Sequence, residues 1–250
     1  MEWNETLFSV GSGETGRVGV LVCHGFGGSP RSVQEVALRL VEAGYTVALP
    51  LLAGHGLTPE AMERYPWTDW AADVERAFGW LYARADEVFL FGLSMGGTLA
   101  LWLAERHPEA AGLITVNAIV RHPRERSMRM LGRLGLPRWA NAIGNDVKLA
   151  GVDEKAYERI PVRSARQLAL LVANVRRDLS LVRCPALVFS STTDHVVPPA
   201  NQREIYGSIS SAVKSLVELP DSYHVATMDN DRERILAGTL EFIAAQSQGV

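Results

Sequence analysis

The 250-residue sequence predicts an α/β fold built on a parallel sheet, and three observations carry that prediction. Short apolar runs alternate with segments of helical pattern from one end of the chain to the other. The run Val88-Phe89-Leu90-Phe91 has no polar alternation, as a strand buried on both faces requires. At its end, Gly92-Leu93-Ser94-Met95-Gly96 sets a serine between two glycines, and an apolar stretch from Thr98 to Ala104 follows. This GxSxG pattern describes a tight strand-to-helix turn that tolerates only small residues two positions either side of the serine. Such a turn puts the hydroxyl at a helix N-terminus, where backbone N–H groups and the helix dipole favour a developing negative charge.

The elements follow in order. Thr6 to Val10 and Val18 to Cys23 are the first two strands, and the next helix has Ser29 as N-cap, Pro30 at its first position and Gly44 beyond its last turn. Thr46 to Leu51 is the third strand. A helix begins near Thr68, whose side chain can cap Asp69 to Ala85. The strands Val88 to Phe91 and Leu113 to Val116 come next, and then the pattern changes. From Arg121 to Arg177 arginines are dense among Met128, Met130, Leu131, Leu134, Leu136, Trp139 and Ile143, and no strand signal precedes Ala186. Residues 121–177 therefore read as a helical insertion between two core strands, with residues 1–120 and 178–250 forming the core. Strands Ala186 to Ser190 and Ser215 to Leu219 complete it, and Asp231 to Gln246 is a closing helix with Ile235, Leu236, Leu240 and Ile243 on one face.

Composition excludes several classes. A net charge of -3 gives no electrostatic case for nucleic acid or an anionic surface as the main partner. The segment MEWNETLFSV lacks the basic and apolar regions of a secretory signal, and no run approaches a transmembrane helix, so a cytoplasmic protein is expected. Cys23 and Cys184 each adjoin an apolar strand and read as small buried hydrophobes rather than a disulfide. No Cys and His cluster has zinc spacing, and no metal or nucleotide cofactor is expected.

A serine hydroxyl is a poor nucleophile at neutral pH and needs a base oriented by a carboxylate. Of six histidines, His224 lies in the polar loop PDSYH between the last strand and the last helix. Asp194, in SSTTDHVVPP, directly follows another strand. The chain order Ser94, Asp194, His224 then puts all three at C-terminal strand ends, the edge where open α/β sheets carry their sites. Asp194 has a second reading as the cap of a helix starting at Pro199, and Asp221 is a rival acid three residues before His224. His195 reads as a bystander, His55 as a structural histidine. Two backbone donors must face the oxyanion of acyl transfer: the N–H of Met95, and the N–H of Phe26 in the small-residue loop His24-Gly25-Phe26-Gly27-Gly28, which His24 braces.

Together HGFGGSP, LPLLAGHGLTP, GLSMGG, TTDHVVP and SYHVATMD resemble the bacterial monoacylglycerol lipase and carboxylesterase family of α/β-hydrolases. The resemblance runs from Val18 to the last helix. It implies a mostly parallel sheet of about eight strands, a small helical cap between the sixth and seventh, the triad Ser94, Asp194 and His224, and Phe26 and Met95 as oxyanion donors. The expected activity is hydrolysis of small-molecule acyl esters through an acyl-enzyme, on monoacylglycerols and short to medium chains. Phe26, Met128, Leu131, Leu134 and Ile143 are expected to meet the acyl chain.

Other readings remain open: thioester, acyl-transfer or carbon-carbon hydrolysis on the same triad, and a ligand-binding protein on a hydrolase scaffold. Dehalogenases and epoxide hydrolases of the same fold use Asp where this chain has Ser94. The cap arginines allow at most peripheral contact with a membrane surface.

Overall fold

A computed structural model describes residues 4–247. The elements in chain order are β1 (Leu7–Ser9), β2 (Val18–Cys23), α1 (Arg31–Glu42), β3 (Thr46–Leu49), α2 (Pro59–Met62), α3 (Trp67–Tyr82), β4 (Glu87–Leu93), α4 (Met95–Ala104) and β5 (Gly112–Val116). Next are α5 (Glu125–Leu134), β6 (Trp139–Asn141), β7 (Arg159–Pro161) and α6 (Val162–Asp178). β8 (Ala186–Ser191), α7 (Ala200–Ser208), β9 (Lys214–Leu219) and α8 (Arg232–Gln246) complete the chain.

Seven strands form one sheet in the order β1-β3-β2-β4-β5-β8-β9, parallel except for β1, which runs antiparallel to β3. This is an α/β-hydrolase fold with seven described sheet strands where about eight were expected. β4 illustrates why its apolar run lacks alternation. Val88 and Leu90 belong to the core beneath α3, α4 and α6, whereas Phe89, Phe91 and Leu93 belong to the core beneath α1 and α8. Both cores are apolar because helices cover both faces, and each buried Phe or Leu contributes roughly 1.5–3 kcal/mol.

The helix starts and stops largely follow local chemistry. Gly44, at φ +93°, ends α1, and its N–H bonds to the carbonyl of Val41. α1 starts one residue later than its capping pattern implied, at Arg31 with Pro30 in the N-cap position, while Ser29 Oγ accepts from Arg31 N at 3.3 Å. The helix expected from Thr68 begins earlier, at Trp67, because Pro66 sets its entry and Thr68 does not cap it.

Residues between β5 and β8 leave the sheet after its fifth strand and rejoin it as the sixth, one strand earlier than the resemblance implied. The segment is also not purely helical: β6 and β7 pair antiparallel, Trp139 opposite Pro161. These strands are three residues each, too short for their periodicity to register in sequence. α6 buries Leu171, Val172 and Val175 in the same core as Leu99 and Leu103 of α4. Cys23 and Cys184 are buried free thiols, and burial raises the pKa of both, that of Cys184 to about 11. No described helix is long and apolar enough to cross a membrane.

Candidate active site

Ser94 sits between β4 and α4 with φ 56° and ψ −122°, a conformation L-residues rarely adopt. Its neighbours impose it. A Cβ at Gly92 would lie 2.2 Å from the carbonyl oxygen of Gly96, and one at Gly96 would lie 2.1 Å from that of Cys23. Only glycine lets β4, the turn and the end of β2 approach so closely. Ser94 N–H donates to Val116 O at 2.9 Å, and Thr98 N–H to Ser94 O at 3.1 Å, so the turn is tied to β5 and to its own helix.

The loops after β8 and β9 bring two more side chains to that turn. His224 Nδ1 lies 2.8 Å from Asp194 Oδ2, and His224 Nε2 lies 2.9 Å from Ser94 Oγ. Facing a carboxylate, Nδ1 carries the proton and donates it, which leaves Nε2 to accept from the serine hydroxyl. Asp194 Oδ1 is occupied by the amides of Val196 (2.8 Å) and Val197 (2.7 Å), so Oδ2 is directed at the imidazole. Burial disfavours the imidazolium, but attraction and the hydrogen bond from Asp194, with the charges of Glu154 and Asp146, outweigh it and hold the His224 pKa above its ordinary value. Asp221, the rival acid, is turned outward to Lys148 Nζ at 3.2 Å.

The loop after β2 is braced from below. Leu52 N–H donates to His24 Nε2 at 3.2 Å, so His24 is protonated at Nδ1 and donates to Gly25 O at 3.0 Å. Burial lowers its pKa to about 4. His55 is likewise lowered to about 3, by burial first and then by His24. The His55 ring packs edge-on against His24, Phe26 and Trp70, at centroid distances of 5.3, 6.0 and 5.5 Å. Neutral His55 therefore packs against Phe26, with neutral His24 against His55 in the same cluster. Met95 opens α4, whose first-turn amides have no partner within the helix.

Ser94 and His224 open into a cavity of about 520 Å³. Phe26, Met128 and Ile143 line it. Leu131 and Leu134 do not: α5 turns one stripe inward, Gly132 packs on Val162 and Arg166 of α6, and Leu134 lies on the outer face beside Arg126 and Arg133. His195 also lines the cavity and bonds to Asp146. Sequence reasoning missed three residues: Asn117 and Asp146, which hydrogen-bond the backbone of His224, and Glu154, a buried carboxyl in the lining whose pKa burial raises. They carry no motif, since their partners lie 78 to 107 positions away or only fold together with them.

This fold, with a serine at a strand-to-helix turn beside a histidine and an aspartate, defines the class of serine hydrolases. Residues 16–231 match the serine aminopeptidase S33 family of hydrolases, and the chain belongs to it. It is 48% identical over 231 residues to a thermostable monoacylglycerol lipase of Bacillus sp. (strain H-257), covering 92% of each chain. It is 27% identical to a carboxylesterase of Bacillus subtilis (strain 168), covering 90% of this chain and 91% of that one. Among solved structures it is similar to one from a study of LipS and LipT, two metagenome-derived lipolytic enzymes, with TM-score 0.91, 45% identity, and 96% and 97% of the two chains covered. A monoacylglycerol lipase of Paleococcus ferrophilus shares the fold, with TM-score 0.82 at 19% identity over 97% of this chain and 100% of that one.

Proposed function

We propose that this hydrolase cleaves carboxylic esters through an acyl-enzyme on Ser94, with monoacylglycerols and short to medium chain acyl esters as substrates. The observation that carries the reading is the hydrogen-bonded line Ser94 Oγ, His224 Nε2, His224 Nδ1, Asp194 Oδ2 at the floor of an apolar cavity. In this reading Ser94 Oγ attacks the ester carbonyl as its proton passes to His224 Nε2. The tetrahedral oxyanion takes the amides of Phe26 and Met95, and the imidazolium, stabilised by Asp194, protonates the departing alcohol. Water then attacks the acyl carbon as His224 Nε2 takes its proton, and His224 returns that proton to Ser94 Oγ as the acid leaves.

The acyl chain lies along Phe26, Met128 and Ile143, and the glycerol meets polar lining groups such as Glu154 and Asn141. Residues 121–177 act as the cap, and the cytoplasm is the site of action, in keeping with two free, buried cysteines. The relatives named for monoacylglycerol lipase and carboxylesterase activity support the substrate class.

The test is initial rates on monoacylglycerols, triacylglycerols, p-nitrophenyl esters and acyl thioesters of rising chain length, with fluorophosphonate labelling of the same preparation. Labelling at Ser94 with monoacylglycerols preferred is expected. Thioesters hydrolysed well and esters poorly, or no labelling at Ser94, would overturn the reading.

A further inference from the structure

The base loop is held by a carboxylate that does not belong to the core. Asp146 lies between β6 and β7, far in sequence from both catalytic loops, yet its side chain is only 9% exposed and all its bonds go to them. Its Oδ2 accepts the amide of His224 at 3.2 Å and that of His195 at 3.1 Å, while Oδ1 accepts His195 Nδ1–H at 2.8 Å. Its own carbonyl takes the amide of Val225 at 3.1 Å. His195 is the residue after Asp194, so one side chain fastens the neighbour of the acid to the backbone of the base.

The strand of chain that carries it is itself anchored. The fully buried carboxylate of Asp229 accepts the amides of Lys148 (2.7 Å), Leu149 (2.9 Å) and Tyr223 (2.9 Å), stitching residues 148–149 to the base loop. Asp229 thus serves the strap. Asp146 uses the strap to reach His195 and His224.

We propose that Asp146 is a positioning residue for the reaction, a carboxylate contributed by the inserted segment that sets the distance of His224 from both Ser94 and Asp194. The proposal rests on the ester-hydrolase reading above. Its chemistry follows from the sum of the contacts. His224 must accept a proton from Ser94 and pass it to the leaving alcohol, so both transfers depend on where Nε2 stands, and a misplacement of about 1 Å is enough to cost on the order of 100-fold in such a step. Side-chain torsions alone do not fix that position, because Asp194 holds only the far nitrogen. The backbone of His224 supplies the remaining constraint, through its amide on Asp146 and its carbonyl on Asn117.

Asp146 also adds negative charge beside the imidazolium that forms in each transfer, together with Asp194 and Glu154, the other carboxylates facing His224. The inserted segment thereby does more than roof the cavity. It completes the alignment of the base.

The test compares wild type, Asp146→Asn, Asp146→Ala and Asp146→Glu, with Asp221→Asn as an outward-facing acid on the base loop. Steady-state kinetics on a water-soluble p-nitrophenyl ester give kcat and KM across pH 5 to 9, and fluorophosphonate labelling gives the reactivity of Ser94. The expected result for Asp146→Asn is a kcat lowered about 10- to 100-fold with KM changed far less. Its acid limb should move to lower pH, since a negative charge facing His224 is gone, and labelling should slow in parallel. Asp221→Asn should keep the wild-type profile, and Asp146→Glu should recover part of the loss. If Asp146→Ala does not fold, Asp146→Asn, nearly isosteric, carries the test. Folded Asp146→Asn with wild-type kcat, pH limb and labelling rate would overturn the proposal while leaving the ester-hydrolase reading intact. Failure of the wild-type protein to hydrolyse esters or to label would instead overturn that reading.

Discussion

Asn117 holds the carbonyl of His224: its Nδ2 donates to that oxygen at 2.8 Å from a backbone at φ 47°, at the end of β5. The same amide nitrogen reaches Ser191 Oγ at 2.8 Å, and its Oδ1 accepts the amide of Ser191 at 2.8 Å. One buried asparagine therefore joins the ends of β5 and β8 to the peptide of His224. Asparagine tolerates the left-handed conformation better than any other residue with a side-chain amide and Cβ of this reach.

Asn117→Ala loses these bonds and keeps the unfavourable φ. It is expected to lower stability by about 2–3 kcal/mol and to reduce kcat. Asn117→Gly relieves the backbone but not the lost bonds, so it should lose less stability and the same activity. Urea unfolding and steady-state kinetics on the two variants separate the effects, and equal stability losses would argue against a strained backbone.

Replacing Ser94 or His224 by Ala should lower kcat by ~10⁴-fold or more, with a somewhat smaller loss for Asp194→Ala. Kinetics on purified variants, with fluorophosphonate labelling to detect contaminating esterase, check this. Near-normal turnover of Ser94→Ala would remove the serine from the reaction.

In the proposed mechanism only neutral His224 accepts the serine proton, so activity is expected to rise as pH climbs through its pKa. Because the carboxylates around it raise that pKa, the midpoint of kcat/KM should lie above 6.5 and be followed by a plateau. A profile that falls steadily from pH 5 to 8 would contradict a neutral base.

His24 and His55 are shifted in the opposite direction from His224, and this bears on stability. Their folded pKa values are lowered to about 4 and about 3 from 6.5, so the unfolded chain binds protons that the folded chain refuses. Stability from this source is complete above pH 6.5 and is lost as pH falls toward those values, by on the order of 3 kcal/mol for His24. Denaturant titrations between pH 7.5 and 4.5 should show the slope. His55→Phe, which keeps the ring contacts, should flatten it, and an unchanged slope would place the acid sensitivity elsewhere.

The cavity makes a further distinction among the residues expected to meet the acyl chain. With each enclosed methylene worth up to ~0.8 kcal/mol, kcat/KM should rise with chain length to a medium-chain optimum and then fall. Met128→Ala should move that optimum to longer chains, whereas Leu134→Ala, on the outer face of α5, should not. A shift with Leu134 and none with Met128 would mean that the chain lies elsewhere.

The site was legible where geometry is local. Gly92, Ser94 and Gly96 announce their turn because the pattern falls within five residues, although the crowding that demands Gly96 comes from Cys23 on β2. That Asp194 and His224 lie beside Ser94 could be read because each follows an apolar strand, and the parallel sheet delivers both ends to one edge. The inserted segment was legible only as a change of pattern. Its six hairpin residues are too few to alternate, and the facing of Leu134 depends on how α5 rests on α6 at Gly132, which no single-helix periodicity contains. Asn117 and Asp146 were invisible for a related reason: a polar residue whose partner is a distant peptide group looks in sequence like any loop residue.

The departure of the chain from β5 and its return to the adjacent β8 has a consequence for recombining this protein with its relatives. Because those strands are neighbours in the sheet, a foreign insert with closely spaced ends would join the core without disturbing its strand order. The crossover points are less free than the topology makes them. A donor segment replacing residues through α6 would have to supply the apolar stripe that Leu171, Val172 and Val175 press against α4. A cut placed before α6 keeps that stripe native. Shuffled libraries with junctions near residues 124 and 161 should therefore yield more folded chimaeras than libraries cut at the strand ends.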